Sequence, residues 1–305
     1  MNILITDGIS AEGEKILTGA GHTVDQLSLK PEELAVRIAG YDCIIVRSAT
    51  KVTRDVIDAG KRLKVIARGG VGVDNIDVKQ AEARGIRVLN TPLASAISVA
   101  ELTIGHMLAV SRFLYMSSAE MKGGKWPKKE YAGGTELYKK TLGIVGLGNI
   151  GKEVARRALG FGMTVLAYDP PFAPMDFIVE ITTKERLLSE SDFITLHVPF
   201  DPGQGPAIGK KELAMVKKGV IIINCSRGGV VDQDALLDAL NAGTVGGAAL
   251  DVFTHEPPTA AEQALINHPR VSVSPHIGGS TVEAQGRVGA EIALKVVKAL
   301  NPERH

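Results

Sequence analysis

The stretch LGIVGLGNIG, residues 142–151, decides the fold of this 305-residue chain. Its first four residues, Leu142–Val145, have the length and composition of a buried strand, and a helical pattern, Lys152–Phe161, follows the glycines. The glycines match G-x-G-x-x-G, in which the first permits a tight turn, the second lets the backbone approach a pyrophosphate and the third allows close helix–strand packing. Since a helix N-terminus presents unpaired N–H groups, the stretch predicts a dinucleotide site. A glycine-rich turn that binds no ligand is the alternative.

An acidic residue, Asp169, ends the next apolar segment after the glycine-rich turn. Its carboxylate would accept hydrogen bonds from the ribose hydroxyls of a dinucleotide and would repel a 2′-phosphate. Pro170 and Pro171 follow it, and the next basic residue is Lys184, so no nearby arginine would bind the extra phosphate of NADP. We therefore predict NAD as the cofactor rather than NADP.

Short apolar stretches alternate with helical patterns on both sides of this turn. Such alternation is typical of βαβ units, and it predicts an α/β protein with parallel sheets in two units. The predicted strands are Ile3–Ile5, Cys43–Val46, Val65–Ala67, Arg87–Leu89, Leu142–Val145, Met163–Tyr168, Phe193–His197, Val220–Asn224, Gly247–Leu250 and Val271–Val273.

One helical pattern, Ser95–Met121, is too long for an ordinary crossover helix and predicts a spine between the two units. A polar stretch rich in lysine and glycine, Lys122–Lys140, follows it. The last predicted helix is Thr281–Leu300, and the sequence does not decide which unit it packs on. Shorter helical patterns are Pro31–Ala39 and Arg54–Ala59.

The composition limits the function classes. A formal net charge of +1 argues against broad binding of nucleic acid or of an anionic membrane, and 4% aromatic residues give no stacking platform for single strands. The two cysteines cannot form a disulfide framework, and no cluster has metal-ligand spacing, so we expect no metal. Neither a signal peptide nor a long apolar stretch is visible, so we expect a cytoplasmic protein without membrane binding.

Three charged side chains follow predicted strands of the second unit and are candidate catalytic groups. In open α/β sheets ligands bind beyond the carboxyl ends of the strands, so Arg227, in NCSRGG, is suited to clamp a carboxylate; a surface arginine at a helix start is an equal alternative. His276, in SPHIGG, is a candidate proton donor whose pKa Glu256, in THEPP, would raise. His197 and His255 lie near the same strand ends and are second candidates.

The first unit carries two arginines at comparable strand ends. Arg47 and Arg68, together with Lys128 and Lys129, could bind the phosphate of an anionic substrate, although solvated surface charge is the better interpretation of the two lysines. Cys225 is interpreted as a small buried hydrophobic residue rather than a nucleophile, because no neighbouring base would activate it.

Taken together, these residues resemble the D-2-hydroxyacid dehydrogenases along nearly the whole chain. The segments that carry the resemblance are IVRSATKVT, ARGGVGVDNID, NTPLASAISVAELT, LGIVGLGNIGKEVA, INCSRGGVVDQDAL, GAALDVFTHEPP and SPHIGGSTVEAQ. The last is more similar to the phosphoglycerate branch of the family than to its lactate or formate branches. The resemblance implies two doubly wound parallel-sheet domains, Rossmann-like or flavodoxin-like: a substrate domain, 1–97 and 282–305, split by an inserted NAD-binding domain, 98–281.

The resemblance also implies the activity, for which three hypotheses stay open. The first is NAD-dependent oxidation of 3-phospho-D-glycerate to 3-phosphohydroxypyruvate, the entry to serine biosynthesis. The second is a reductase of glyoxylate or hydroxypyruvate, or another D-2-hydroxyacid dehydrogenase without a phosphate pocket. The third is an interaction protein that senses NAD(H) without turnover. Relative rates on phosphorylated and unphosphorylated keto acids would separate them.

The resemblance assigns roles to individual residues. Arg227 would bind the substrate carboxylate and carbonyl, and His276, paired with Glu256, would be the general acid and base. Asp251 would contact the nicotinamide carboxamide, and Arg68 the substrate phosphate. The cofactor residues implied are Gly146, Gly148, Asn149, Ile150, Gly151, Asp169, His197, Val198, Pro199, Cys225, Ser226, Arg227, Asp251, His276, Gly278 and Gly279. The substrate residues implied are Arg47, Ser48, Arg68, Gly69, Gly70, Val71, Arg227 and His276.

Three further expectations follow from the resemblance. A homodimer would form around the cofactor domain. The sequence stops at His305, about where the core enzyme ends, so we expect neither an ACT-type regulatory domain nor feedback inhibition by serine through it. Val71 stands where relatives often carry threonine, which puts one polar contact to the substrate or cofactor in doubt.

Overall fold

The computed structural model describes residues 1–169 and 177–301, so Pro170, Pro171 and the last four residues of the expected substrate domain lie outside the described residues. The chain divides into two compact units: Met1–Ala96 with Gly279–His305, and Ile97–Gly278. We call them the first and second unit. The expected boundaries, 97/98 and 281/282, lie close to these.

The regular elements follow one another as strands and helices in both units, and all strand pairs are parallel. In chain order they are β1 (Asn2–Ile5), α1 (Ala11–Gly19), β2 (Thr23–Gln26), α2 (Pro31–Arg37), β3 (Cys43–Val46), α3 (Arg54–Ala59), β4 (Val65–Arg68), α4 (Val78–Ala83), β5 (Arg87–Asn90), α5 (Ala96–Ser111), α6 (Leu114–Lys122), β6 (Thr141–Val145), α7 (Asn149–Gly160), β7 (Thr164–Tyr168), β8 (Glu180–Ile181), α8 (Lys184–Glu190), β9 (Phe193–Leu196), α9 (Lys210–Leu213), β10 (Val220–Asn224), α10 (Gln233–Asn241), β11 (Val245–Leu250), α11 (Gln263–Ile266), β12 (Val271–Val273) and α12 (Val282–Leu300).

The first unit has a five-stranded sheet in the order β2-β1-β3-β4-β5. Successive side chains of a strand point to opposite faces, so both faces of the apolar central strands need a cover. Leu4, Ile44 and Ile66 pack with residues of α2, α3 and α4 on one face. Ile3 and Ile45 pack with α1 and α12 on the other face. The final helix therefore belongs to the first unit, which the sequence alone did not decide.

Helices α1 and α12 pack at a glycine contact. A Cβ on Gly13 would meet the carbonyl oxygen of Gly289 at 2.6 Å, and a Cβ on Gly289 would collide with Ser10. Ser10 caps α1, since its hydroxyl accepts the N–H of Gly13 at 3.2 Å. Only glycine at these two positions lets the backbones approach so closely.

The second unit has a seven-stranded sheet in the order β12-β11-β10-β9-β6-β7-β8. The order reverses between β6 and β9, which is the switch point at which α/β sheets bind ligands beyond the carboxyl ends of their strands. Apolar clusters cover both faces: α5 and α7 pack on one, and α8 and α10 on the other. The fold class predicted from the sequence, two doubly wound parallel sheets, is confirmed.

The single long helix predicted over Ser95–Met121 is wrong. The chain forms α5 and α6, with a 67° bend between them, because Phe113 adopts a left-handed conformation with φ 54°. Within the described residues no single helix is both long and apolar enough to cross a membrane; α5 and α6 satisfy that test only as a bent pair.

Candidate active site

The glycine-rich turn after β6 has the geometry that a bound pyrophosphate requires. Gly146 has φ 92°, and a Cβ there would meet the carbonyl oxygen of His197 at 2.6 Å. A Cβ on Gly151 would collide with the carbonyl oxygen of Gly146, so the close approach of α7 to the turn needs glycine. A Cβ on Gly148 would meet nothing within 4 Å, which leaves open space beside the backbone. The turn therefore fits the phosphates of a dinucleotide.

The start of α7 and the end of β7 complete this half of the site. Gly148 is the N-cap of α7 and makes no side-chain cap hydrogen bond, and the first turn of the helix, which begins at Asn149 and Ile150, is the part that the motif predicts to hold a pyrophosphate. Asp169 accepts the N–H of Leu147 at 2.7 Å, which holds its carboxylate beside the turn. The carboxylate predicted to bind ribose thus lies beside the glycine-rich turn, and its contact to ribose stays a prediction.

His276 and Glu256 form a hydrogen-bonded pair in the second unit. The His276 Nδ1 lies 2.6 Å from the Glu256 Oε2, and both side chains are partly exposed. The hydrogen bond that His276 donates to Glu256 and the carboxylate charges of Glu256 and Asp251 raise the pKa of His276, whereas burial and the charge of Arg227 lower it. Burial alone would raise the pKa of Glu256, but His276, the N–H of Phe253 and Arg227 together lower it. The pair therefore holds a proton on the imidazole at higher pH than a free histidine would.

The loop that carries His276 is tied to Asp251, the residue after β11. His276 has φ 52°, an unusual conformation for a residue with a side chain. Its N–H donates to the Asp251 carbonyl at 2.8 Å, while the N–H groups of Ile277 and Gly278 donate to the Asp251 carboxylate at 2.9 and 2.8 Å. Asp251 is 1% exposed. A buried carboxylate thus fixes the backbone of the candidate acid–base residue, and the contact to nicotinamide implied for Asp251 stays a prediction.

Arg227 follows β10 in a loop that Asn224 organises. The Asn224 Oδ1 accepts the N–H of Ser226 at 3.0 Å and its hydroxyl at 2.7 Å, and the Asn224 Nδ2 donates to the Arg227 carbonyl at 2.8 Å. A Cβ on Gly228 would collide with the carbonyl of Phe253, so glycine lets this loop lie against the loop after β11. Arg227 is half-buried, and its charge acts on both His276 and Glu256. The three predicted catalytic residues are therefore neighbours.

Other predicted residues line the carboxyl ends of β9 and β10. The imidazole of His197 is bonded through Nε2 to the Thr195 hydroxyl at 3.0 Å, and burial lowers the pKa of His197 to about 3. Val198 and Pro199 follow it. Burial raises the pKa of the Cys225 thiol to about 12, which supports its interpretation as a packed residue rather than a nucleophile.

A second histidine–glutamate pair lies in the loop after β11. The His255 Nδ1 is 2.5 Å from the Glu262 Oε1, a contact that the sequence pattern does not predict. The Glu262 Oε2 also accepts the hydroxyl of Thr259 at 2.6 Å and its N–H at 2.8 Å. The pair therefore links the two ends of the segment 255–262.

The predicted substrate residues of the first unit lie at the carboxyl ends of neighbouring strands. Arg68 ends β4 and pairs with Val46 of β3, next to Arg47. Arg47 donates its N–H to the Asp7 carboxylate at 2.7 Å, and the Asn75 amide donates to the Arg47 carbonyl at 2.7 Å. These bonds fix the backbone of Arg47 without using its guanidinium.

The glycines after β4 bring the chain around the Arg68 side chain. Gly70 has φ 156°, and a Cβ there would meet the Arg68 guanidinium at 2.7 Å. The Asn90 amide donates to the Val71 carbonyl at 2.6 Å, so Val71 is held through its backbone. Of the remaining predicted residues, Ser48 lies in the loop after β3 and Gly69 in the loop after β4. Gly279 begins the segment Gly279–His305 of the first unit. Lys128 and Lys129 are exposed.

Comparison with known proteins identifies the family. The model for the D-isomer specific 2-hydroxyacid dehydrogenase NAD binding domain matches residues 104–278. The chain belongs to the D-isomer-specific 2-hydroxyacid dehydrogenase family. As a member it is an NAD-dependent D-2-hydroxyacid dehydrogenase, and NAD is its cofactor. Among residues 1–169 and 177–301, no group of three or more His, Cys, Asp or Glu side chains is placed to hold a metal ion.

The most similar relatives of this dehydrogenase divide between two activities. A hydroxypyruvate reductase of Thermotoga maritima is 48% identical over 298 residues, 97% of each chain. A D-3-phosphoglycerate dehydrogenase of Methanocaldococcus jannaschii is 46% identical over 308 residues, and the alignment covers 99% of this chain but 58% of that protein. A solved glyoxylate reductase from Paecilomyes thermophila has a TM-score of 0.90 at 31% identity and covers 100% of this chain and 96% of that chain. The resemblance found in the sequence is confirmed for the family.

Proposed function

We propose that this dehydrogenase oxidises 3-phospho-D-glycerate to 3-phosphohydroxypyruvate, the first step of L-serine biosynthesis. The observation that carries the proposal is the pair of arginines, Arg47 and Arg68, at adjacent strand ends of the first unit, because guanidinium groups bind phosphate in a bidentate manner. The similarity to the Methanocaldococcus jannaschii enzyme supports it.

The site residues divide the work of the reaction. Bound NAD supplies the acceptor for the hydride that leaves C2 of the hydroxy acid. Arg227 binds the substrate carboxylate and stabilises the C2 oxygen as its charge develops, a contribution of about 3–4 kcal/mol by analogy with a single oxyanion-hole donor. His276 takes the hydroxyl proton during oxidation and returns it during reduction.

The remaining residues of the second unit prepare this step. Glu256 holds the imidazole of His276 through Nδ1, which leaves Nε2 for the substrate oxygen. The turn from Gly146 to Gly151 and the carboxylate of Asp169 hold the cofactor by its phosphates and ribose. In this assignment Arg68 binds the substrate phosphate, and Arg47 supports it.

Reduction of hydroxypyruvate or glyoxylate is the second candidate function. Two observations favour it: the Thermotoga maritima relative is similar over nearly its whole length, and the Paecilomyes thermophila structure has the same fold. The catalytic residues and the cofactor are the same in both candidates. They differ in whether Arg68 binds a phosphate.

The deciding experiment is the initial rate of NADH oxidation with 3-phosphohydroxypyruvate, hydroxypyruvate and glyoxylate, each at one low concentration. We expect a preference for the phosphorylated substrate that Arg68→Ala lowers by about 10- to 100-fold, the effect of one hydrogen-bonded charge. Arg54→Ala, which removes an exposed arginine from α3, is the matched control and should leave the preference unchanged. A wild-type preference for the small keto acids would establish the second candidate instead.

The assembly is also a proposal. We infer a homodimer, supported by the exposed apolar side chains of Leu114, Met121 and Trp126 in the second unit, which a partner subunit would cover. Light scattering after gel filtration measures the mass directly. A monomeric mass at micromolar concentration would contradict the proposal.

A further inference from the structure

A buried histidine on α5 is hydrogen-bonded at both ring nitrogens. His106 is 5% exposed, and its Nδ1 lies 3.1 Å from the hydroxyl of Ser272 while its Nε2 lies 2.9 Å from the hydroxyl of Ser274. Ser272 lies in β12, and Ser274 follows that strand directly. Two residues later the chain reaches His276.

The direction of each hydrogen bond follows from the groups available. The Ser274 hydroxyl lies 2.5 Å from the Asp251 Oδ1, and a carboxylate can only accept, so this hydroxyl donates its proton to Asp251. The oxygen of Ser274 then accepts from His106, which places the imidazole proton on Nε2. Burial lowers the pKa of His106, despite the opposing charge of Asp251, so the ring is neutral and its Nδ1 accepts from Ser272.

The same Asp251 carboxylate holds the loop of His276. Its Oδ1 also accepts the N–H of Ile277 at 2.9 Å, and its Oδ2 accepts the N–H of Gly278 at 2.8 Å. A continuous series of directed hydrogen bonds therefore runs from Ser272 through His106, Ser274 and Asp251 to the backbone beside His276. All of these residues lie in the second unit.

We propose that His106 is a positioning residue for His276: through the hydroxyl of Ser274 it fixes the Asp251 carboxylate that orients the acid–base loop. This inference rests on the role proposed for His276. His106 touches neither substrate nor cofactor in this assignment. It acts by keeping Asp251 in one orientation, and that orientation sets both the backbone conformation of His276 and the charge that faces its ring.

Loss of this positioning should change the proton affinity of His276 as well as the rate. The charged groups that act on the His276 ring are Glu256, Asp251 and Arg227. Asp251 raises the pKa of His276, so a carboxylate that is free to turn away would raise it less. During reduction the protonated imidazole donates, and the loss of rate at high pH would therefore begin at lower pH in the variant.

The test compares His106→Leu with His106→Gln. We expect His106→Leu to lower kcat for keto-acid reduction by about 5- to 30-fold, to leave KM for NADH within about twofold, and to move the alkaline limb of the kcat/KM profile to lower pH. Glutamine can place its amide N–H near the former position of Nε2. His106→Gln should therefore keep most of the wild-type kcat, and its kcat/KM profile should keep the alkaline limb near the wild-type pH. Ser111→Ala removes another buried polar group of α5, bonded to the Met107 carbonyl at 2.6 Å, and is the control for general loosening.

A double-mutant cycle tests whether His106 acts through Ser274. If the two residues act in series, His106→Leu combined with Ser274→Ala should lower kcat no further than the stronger single substitution. Multiplied effects of the two substitutions would overturn the proposal, and so would normal kcat and an unshifted limb in folded His106→Leu.

A spectroscopic measurement on the wild-type protein needs no variant to fold. Nitrogen-15 shifts of the His106 ring should show the proton on Nε2 and none on Nδ1 from about pH 7.5 to 9, above the usual histidine pKa of about 6.5. A proton on Nδ1, or titration in that range, would overturn the proposal.

His276→Ala separates the failure of the positioning role from the failure of the acid–base assignment. If that variant keeps normal turnover, the acid–base assignment fails. An inactive His276→Ala beside a normal His106→Leu refutes only the positioning role.

Discussion

Two histidine–glutamate pairs of almost the same length lie among the described residues of the second unit. The His276 Nδ1 lies 2.6 Å from Glu256, and the His255 Nδ1 lies 2.5 Å from Glu262. Both follow apolar strands, and both histidines are candidates by sequence. Distance alone therefore does not distinguish an acid–base pair from a structural contact.

The surroundings of the two carboxylates make the difference. Glu262 accepts the hydroxyl and the N–H of Thr259, so its charge stabilises the fold of its own loop. Glu256 accepts the N–H of Phe253 with one oxygen and His276 with the other, and Arg227 acts on both partners of that pair. The candidate catalytic histidine, His276, is therefore distinguished by Arg227, a cation that acts on the His276–Glu256 pair and is proposed to bind the substrate.

The strongest test of this comparison exchanges each histidine for alanine. We expect His276→Ala to lower turnover by about 10²- to 10⁴-fold, because the positioned proton donor is lost, while NADH binding survives. His255→Ala, the matched control, should stay within about threefold of the wild type. Steady-state rates and fluorescence titration with NADH measure both. Equal losses in the two variants would contradict the assignment of roles.

Substitution of Arg227 tests whether this cation distinguishes the His276–Glu256 pair from the His255–Glu262 pair. Arg227→Lys keeps the charge but removes the planar fork, so we expect kcat/KM for the keto acid to fall by about 10²- to 10³-fold. The matched change Arg186→Lys, on the surface of α8, should have no effect on the rate. Near-normal kcat/KM in Arg227→Lys would show that charge alone suffices.

Removal of the Glu256 carboxylate should change the pH dependence of keto-acid reduction. The hydrogen bond to Glu256 and the charge of that carboxylate raise the pKa of His276, so Glu256→Gln should move the alkaline limb of the pH profile for reduction to lower pH. The rate at low pH, where the imidazole is protonated in both proteins, should change less. An unshifted limb would mean that Glu256 orients the ring without setting its proton affinity.

The second pair should affect stability rather than rate. The hydroxyl of Thr259, followed by His255, lowers the pKa of Glu262 to about 2 from 4.5. A carboxylate that is more acidic in the folded protein stabilises it above its unfolded pKa, and this contribution is lost as pH falls towards the folded value. Glu262→Gln should therefore lower Tm at pH 7 by about 2 °C, and the difference should narrow below about pH 4.5.

Calorimetry at several pH values checks this last prediction. Glu136→Gln removes an exposed carboxylate and should leave Tm unchanged at each pH. A Glu262→Gln deficit that stays constant down to pH 3 would show that shape rather than charge holds the loop.

The sequence predicted those strands whose burial is encoded in apolar runs. Cys43–Val46 and Val220–Asn224 form strands with the predicted bounds, because every residue in them is buried. β2, Thr23–Gln26, was missed, since it is a largely exposed edge strand held to β1 by backbone pairing. The break at Phe113 has no proline or glycine beside it; there the N–H of Thr135 donates to the Ser111 carbonyl at 2.9 Å, a contact formed only in the folded unit.

The candidate site was predictable where function demands a residue at a strand end. Arg227, Glu256 and His276 follow β10, β11 and β12, and parallel strands bring such residues to one edge of a sheet. The role proposed for His106 was not predictable from the sequence, because a histidine in an apolar helix is usually a buried core residue without a functional role. The sequence feature that could have indicated it is the spacing of Ser272, in β12, and Ser274, directly after it, whose two hydroxyls both contact the His106 ring.

The glycine contact between α1 and α12 joins segments that are far apart in the chain, so the first unit can be completed only late in synthesis. Side chains at both ends of the chain, among them Ile3, Leu17 and Ile292, share one cluster of the first unit, whereas the second unit is a continuous segment. A growing chain can therefore complete the second unit while the first still lacks half of its cover. The face of β1 that packs against α12 is therefore completed only after α12 has been synthesised, later than the segment that forms the second unit.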